Sequence, residues 1–487
     1  MSLHAQLSPE AQAALAAQKR NSTISSLIIA LLVIALLGVI LAFIGLALSK
    51  QNTEEIVSYA PSSDKNDEVV KPEMNNQVEK KPSAPSSSMA KVIAANTPSA
   101  VAVPVPDVQV TEPSLDFGDG DDFGDGWGDG DGNGNGGGGS GFGIPASMKQ
   151  RCSAQDRMAR LTKEGGKAEY EEAVVKSLRW LQKNQQKDGS WKAQGKPVAM
   201  TGLALLCYLG HCETPLSAEF GETVQNAIVY LVNVANKNGG KMGTDFTDNH
   251  WCYEHAIATY AIAEAYTLCK EFNVSIPGLP EAVLEAGSFI VGNQHTSGGW
   301  DYAYDTSGAR GGDSSIVCWH LQAIKACKYT KLFQEKMLDV SGKKGIAYLK
   351  TCELGEKGTI GYVPGRALGG YPSMTPAGAL CFQQWGQGRR SLARNGVKWM
   401  SKNNEFDFGK KADLYMHYYA SQCMINAGGK TWADYNNSSM THLASKQQGD
   451  GSWNLPAGAG HGLSSKHYAT CLCTLMMEVY YRFLPSS

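Results

Sequence analysis

No Cys-x-x-Cys pair occurs among the 12 cysteines of this 487-residue chain, so a zinc ribbon or a thioredoxin-type redox site has nothing to rest on. No convincing small-x-small cleavage site closes the apolar run near the N-terminus, and that run exceeds the roughly 7–15 residues of a signal-peptide core, which argues against cleavage. Large apolar residues are scarce between Gln51 and Pro145, and a segment without them cannot bury enough surface to offset the entropy of ordering.

Three regions follow from these absences. The uncharged stretch around "LIIALLVIALLGVILAFIGLAL" is long enough, at roughly 33 Å as a helix, to match a bilayer core. It predicts a transmembrane helix over 24–49 after a short cytoplasmic N-terminus, 1–23. Lys19 and Arg20 precede it and Lys50 follows, a bias that places the N-terminus inside and the rest of the chain outside the cytoplasm, in the periplasm. Residues 50–145 read as a disordered linker, Pro/Ser-rich and then Asp/Gly-rich. From Gln51 to Pro145 there are 16 acidic and 5 basic residues. The tract "DFGDGDDFGDGWGDGDGNGNGGGG" reads as a flexible acidic spacer; ordered calcium binding is the rival, but EF-hand spacing and a nonapeptide repeat are missing.

The remainder, 146–487, carries a net charge of +7 and every cysteine. Cysteines outside the cytoplasm permit disulfides. Cys207, Cys269, Cys318, Cys327, Cys381, Cys423, Cys471 and Cys473 sit inside apolar helical runs, however, where a thiol behaves as a small buried hydrophobe.

This region repeats one unit six times. An amphipathic helix such as that carrying Val174, Leu178 and Leu181, spaced i, i+4, i+7, is followed by a glycine turn and a helix apolar nearly all round, such as "VAMTGLALLCYLG". The turns fall at Gly189, Gly240, Gly299, Gly361, Phe408 and Gly451, about fifty residues apart in the sense expected of a repeat array. An open solenoid and a closed double ring both fit. Apolar second helices rich in small residues favour the ring, in which they form the inner barrel. The predicted fold is all-α: an (α/α)6 toroid of six helical hairpins with the first helices outside.

Three turns share a tighter pattern: Gln185 with Trp191, Gln294 with Trp300, and Gln447 with Trp453. It resembles the QW motif of squalene and oxidosqualene cyclases, whose toroid is shared with protein prenyltransferase β subunits. The resemblance implies that each glutamine bonds the end of an outer helix while each indole packs on the next repeat, a structural role. It also implies an apolar or polymeric ligand, an isoprenoid, lipid or envelope polymer, in a central cavity. The catalytic Asp-x-Asp-Asp of the cyclases occurs only as Asp119 to Asp122, inside the acidic tract. The zinc-binding Asp-x-Cys of prenyltransferases and the Gly-Cys-Gly-Glu-Gln of thioester domains are absent, and the Asp-Asp-x-x-Asp of class I synthases occurs only inside the same acidic tract, as Asp121 to Asp125. No metal and no cofactor is indicated.

Polar and aromatic residues cluster at the turns leading into the inner helices. His250, Glu254, Asp301, Asp305, Asp313, Asp413 and His417 are the catalytic candidates. Trp251, Tyr253, Tyr302, Trp319, Tyr371, Tyr415, Tyr418 and His467 are the ligand-binding ones. Asp248, His255, Tyr304, Arg310, His320, His461, Lys466 and Tyr468 fall in the same turns. Six of ten histidines lie in this set, and His with acidic residues at one mouth suits general acid–base chemistry or a borderline metal. Asp313 and Asp413 also suit helix N-caps. Two alternatives remain beside a cyclase-like toroid: a non-catalytic envelope scaffold, and an (α/α)6 carbohydrate-active enzyme using Glu254, Asp301, Asp305 and Asp313. Outside the cytoplasm no nucleic-acid partner is expected.

Overall fold

The structure, a computed structural model, describes residues 149, 151–367, 372–457 and 465–482. The expected membrane span and linker lie outside these residues, as do Tyr371 and His461. No helix among the described residues is long and apolar enough to cross a membrane.

Six inner helices are α3 (Pro197–Gly210), α5 (Trp251–Glu271), α7 (Ser314–Thr330), α9 (Thr375–Gln384), α11 (Leu414–Ala427) and α14 (Lys466–Met477). Each packs on the next, and α14 packs back on α3. The ring is therefore closed, and the open-solenoid alternative does not hold. Ring closure is carried by side chains as well: His467 Nε2 donates to the Met200 carbonyl at 3.1 Å, and Cys207 Sγ lies 3.5 Å from the Cys471 carbonyl. The outer layer is α2 (Ala168–Lys183), α4 (Gly221–Lys237), α6 (Leu279–Gly292), α8 (Glu335–Thr351), α10 (Ser391–Lys402), and the pair α12 (Gly429–Tyr435) and α13 (Thr441–Ser445) joined by a π-turn. A first helix, α1 (Ala154–Lys163), lies before them.

The two layers differ as their sequences require. In α4 the buried residues Val224, Ala227, Ile228, Leu231 and Ala235 occupy one face, the stripe of an amphipathic helix. In α3 every residue from Val198 to Gly210 is buried, because neighbours enclose it on all sides. Gly202 allows that crowding: a Cβ there would stand 3.2 Å from the Ala258 Cα of α5. Asp313, Asp413 and Ser465 cap α7, α11 and α14 by accepting from backbone N–H groups, as the two aspartates were expected to do.

The turns do more than reverse the chain. Gly189 (φ +85°) presses its Cα against the Asn226 carbonyl of α4, Gly240 against Glu285 of α6, Gly298 against the Lys344 carbonyl of α8, Gly358 against Asn395 of α10, and Gly451 (φ +92°) against the Lys176 carbonyl of α2. Each turn thus docks on the outer helix of the following repeat, and the last docks on the first. The sequence placed two of these turns at Gly299 and Gly361; the docking glycines are Gly298 and Gly358, which alone combine positive φ with contact on the next outer helix. The Phe408 turn differs. Phe408 N donates to His442 Nε2 at 3.1 Å, so a side chain replaces the glycine contact.

The glutamines and tryptophans reinforce the same joints. Gln185 Nε2 donates to the Gly189 and Thr223 carbonyls (3.0 and 2.9 Å), Gln294 to Gly298 and Ser341 (2.8 and 2.9 Å), and Gln447 to Gly451 and Ala173 (2.9 and 2.7 Å). Each amide ties its own turn to the next outer helix. The indoles of Trp191, Trp300 and Trp453 are buried and donate to Leu181, Ile290 and Leu443 carbonyls, satisfying the last turn of the preceding helix.

At the other end, where the inner helices finish, the N-terminal segment is strapped to the ring. A disulfide joins Cys152 to Cys212 beyond the end of α3. The ten other cysteines are free and buried, including all eight expected to be so. Arg151, 1% exposed, reaches Glu264 of α5 at 2.6 Å. His211 places Nδ1 2.7 Å from Glu213 and Nε2 3.0 Å from Glu171, and Glu171 also accepts from Arg157 and Tyr481, each at 2.8 Å.

This clamp has a pH window. Burial alone would lower the His211 pKa, but the two glutamates outweigh it and raise it above the ordinary 6.5. Its contribution is present below that value and is lost as pH rises through the raised one. Burial works against the Glu171 charge, yet His211 and Arg157 pull its pKa from 4.5 to about 2. Its contribution is present above 4.5 and is lost as pH falls toward 2. The melting-temperature gap between wild type and His211→Gln is expected to be widest between pH 4.5 and 6.5, and to narrow on the alkaline side. A gap constant with pH would contradict the clamp.

Candidate functional site

The lumen is filled by its own side chains. Trp319 of α7 stacks on Tyr418 of α11 with ring centroids 5.5 Å apart. Tyr418 also lies 3.4 Å from Gln322 of α7, and Arg482 reaches Tyr260 of α5 at 3.2 Å. Trp319, Gln322 and Tyr418 join α7 to α11, which are not neighbours in the ring, so their side chains meet inside it. Trp319, Tyr418, Gln322, Tyr260 and Arg482 are all at most 1% exposed; a residue so enclosed lines no void that admits water. Among the described residues the expected greasy central cavity is therefore replaced by packing, and Trp319 and Tyr418 are core.

Four histidines are core for a related reason. His255 accepts from Met242 N (2.9 Å) and faces the Ala286 carbonyl. His320 contacts Tyr304 and the Ile316 carbonyl and stacks on Trp300. His417 lies between Tyr435 and the Glu405 carbonyl, and His467 stacks on Trp191. Burial pushes them down to about 3, 3, 4 and 4, so they are neutral and structural: His255 and His417 join an inner helix to an outer one, His467 joins two inner helices, and His320 joins α7 to the Tyr304 turn. Their abundance in these turns follows from repetition, which places a buried polar group at the same joint of several hairpins. Trp251 is likewise enclosed, by Phe246, His255, Phe289 and Tyr304.

Partly exposed polar and aromatic side chains gather at the end of the ring where the inner helices begin. Tyr253 Oη lies 2.7 Å from Ser315 Oγ and 3.3 Å from Tyr302 Oη. Arg310, 40% exposed, stands 5.0 Å over the Tyr302 ring, 3.5 Å from Asp301 and in contact with Asp313. Asp313 is buried: its other oxygen accepts from Ser315 N at 2.9 Å and Oγ at 2.5 Å. Burial raises its pKa against the pull of Ser315 and Arg310. Tyr415 Oη lies 3.5 Å from the Ser315 carbonyl. Asp313 and Asp413 both act on Tyr362, and Asp413 acts on Tyr468. Tyr253, Tyr302, Tyr362 and Tyr468 are half-buried. Half-buried phenols from several repeats thus gather at one end of the ring with two carboxylates and a guanidinium.

A second group sits beside it. Lys196, just ahead of α3, contacts Asp248 and lies 3.5 Å from Glu254. Asp248 also accepts from His250 N and lies 2.9 Å from its Nδ1. His250 and Glu254 share a helix face, but Glu254 turns inward to the first turn of α3 beside Val198 and Ala199, while His250 is 57% exposed. Burial raises the Glu254 pKa despite Lys196; the bonds from Lys196 and then His250 lower that of Asp248. Asp305 stands apart, exposed, accepting from Ser307 and Gly308 in its own loop. Among the described residues no group of three His, Cys, Asp or Glu side chains is placed to hold a metal ion.

Sequence reasoning missed Lys196 and Tyr362, which sit in loops of ordinary composition. It also missed the buried charges at the far end, Arg151, Glu264, Glu478 and Arg482. A glutamate inside the apolar run "AIATYAIAEAYTLC" was the available signal, since an ion so placed must meet a partner.

No protein-family model and no curated protein matches the chain. Among solved structures it is similar to a GH76 alpha-mannanase of Bacteroides thetaiotaomicron, at 12% identity and TM-score 0.49, covering 66% of this chain and 98% of that one. It is also similar to a wild-type glycosidase, at 11% identity and TM-score 0.41, covering 64% of this chain and 96% of that one. These neighbours are glycosidases, not squalene cyclases or prenyltransferases, and the family assignment drawn from the Gln and Trp turns is corrected accordingly. The glutamine and indole side chains of those turns donate to backbone carbonyls of the ring, a structural role.

Proposed function

We propose that the toroid is a carbohydrate-active module that takes a glycan at the mouth where its inner helices begin. The observation that carries this reading is the gathering of half-buried tyrosines with Arg310, Asp313 and Asp413 at one end of a packed ring. A phenol offers an apolar face and a polar tip at low entropic cost, which matches a sugar's CH face and its hydroxyls. Asp413 and Asp313 are the carboxylate pair that hydrolysis would call on; inverting and retaining chemistry both need two. The Cys152–Cys212 bond supports an oxidising compartment outside the cytoplasm.

A second reading, a binding module without catalysis, draws support from Asp313, whose two oxygens are already taken by Ser315 and Arg310. One experiment separates the two. The full chain is titrated with neutral oligosaccharides while its melting temperature and the release of reducing ends are followed. A ligand at 100 times its Kd adds about 2.7 kcal/mol, a readily measured shift, and Tyr302→Ala is expected to abolish it. Reducing-end release supports the enzyme, and a shift without release supports the binding module. No shift and no release with any oligosaccharide would overturn both.

A further inference from the structure

The outer helix α10 is unusual among the described helices in the sign of its charge. Between Gly386 and Asn404 the chain has five cationic residues and no acidic one. Four of them, Arg390, Arg394, Lys398 and Lys402, follow one another at four-residue steps, about 6 Å apart along the axis, and all are exposed. Like charges at that spacing repel. Elsewhere the outer wall pairs such charges within a helix, as Lys176 with Glu172 on α2 and Lys430 with Asp434 on α12. On α10 none of these four has an acidic partner among the described residues. The helix is held instead by its inward face, Ala393, Gly396, Trp399 and Met400.

The row continues sideways. The Gly298 turn lands on Lys344 of α8 and the Gly358 turn on Asn395 of α10, so Lys343 and Arg394 hold the same position on consecutive outer helices. Lys343, Lys344 and Lys350 are exposed. The acidic residues between the helices are Glu353 and Glu356, and Glu353 is occupied by Gly358 N at 3.1 Å.

We propose that the outer wall formed by α8 and α10 is a binding track for a linear anionic polysaccharide. A row of cations that advances about 6 Å along the helix and about 40° round it at each step fits a chain rather than a small molecule. Large apolar side chains of α10 are not exposed, which disfavours a membrane surface. Trp399 is buried, so α10 offers no indole on which a nucleic-acid base would stack. The polymer class rests on the saccharide reading of the mouth, but the residues are different ones.

The test uses the full chain with fluorescently labelled heparin and polygalacturonate as probes. Binding is expected at about 50 mM salt and is expected to fade steeply by about 300 mM, as contacts between exposed charges do. The double variant Arg394→Gln with Lys398→Gln is expected to weaken it about tenfold at the lower salt, with no loss of melting temperature, while Tyr302→Ala leaves it unchanged. Neutral oligosaccharides should show the reverse dependence, so failure of one site is distinguishable from failure of the other. Equal affinity of the double variant, or binding indifferent to salt, overturns the track. Single-stranded DNA or anionic vesicles that bind as tightly through the same residues overturn the choice of polysaccharide.

Discussion

Gly451→Ala is expected to destabilise the ring by about 3–4 kcal/mol, because two costs fall on one residue: left-handed backbone that an L side chain disfavours by about 1–2 kcal/mol and a steric conflict of about 1–3 kcal/mol. The conflict cannot be relieved locally. The added Cβ would lie 2.3 Å from the Lys176 carbonyl oxygen, part of the α2 backbone, and α2 is held by Gln447 through the Ala173 carbonyl. The turn must lift off the first outer helix, at the seam where the last repeat meets the first. A urea midpoint that drops sharply, with hydrogen exchange quickening first in α2 and the 441–453 segment, is the expected result. Gly195→Ala is the control, for Gly195 also has positive φ (+66°) but its Cβ would meet nothing; it should cost only the backbone share. Equal losses for the two glycines would mean that docking of turns on outer helices contributes little to closure.

Glu264→Gln is the second variant of large effect, expected to cost about 3–5 kcal/mol, the range for breaking a buried ion pair on one side. Glu264 is 2% exposed and faces two guanidiniums, Arg151 at 2.6 Å and Arg482 at 4.0 Å. Glu478, fully buried in the same cluster, has its pKa raised well above the ordinary value by burial and then Cys207, in spite of Arg482 and Arg151. The glutamine would leave two buried cations with no carboxylate bonded to either. Adding Arg151→Met should restore part of the loss, because it removes one of the stranded charges. Chemical denaturation of the single and double variants checks this. A double variant no more stable than Glu264→Gln alone would show that Arg151 acts through packing, not through its charge.

The variants address opposite poles of one object, and the poles were unequally readable. The repeat, the two helix layers and the turns came from periodicity, and the caps at Asp313 and Asp413 from residue type. The histidines misled because repetition concentrates any residue that a repeat needs. His255, His320, His417 and His467 look like a functional convergence, yet each is buried and bonded to its neighbours in the fold. The glutamine–tryptophan turns misled similarly about family, since their partners are backbone carbonyls and carry no chemistry. At the far pole Glu264 and Arg482 are more than 200 positions apart, and no local pattern relates them.

The sequence by itself determined that helices pair, how many times, and which face of each turns inward, because those follow from the spacing of apolar residues along the chain. Only the tertiary structure decided that the ring closes and that its axis is packed with Trp319, Tyr418 and Tyr260. It also decided that tyrosines of several repeats gather at the end where the inner helices begin. Those outcomes depend on side chains meeting across the ring, where distance in space is unrelated to distance along the chain.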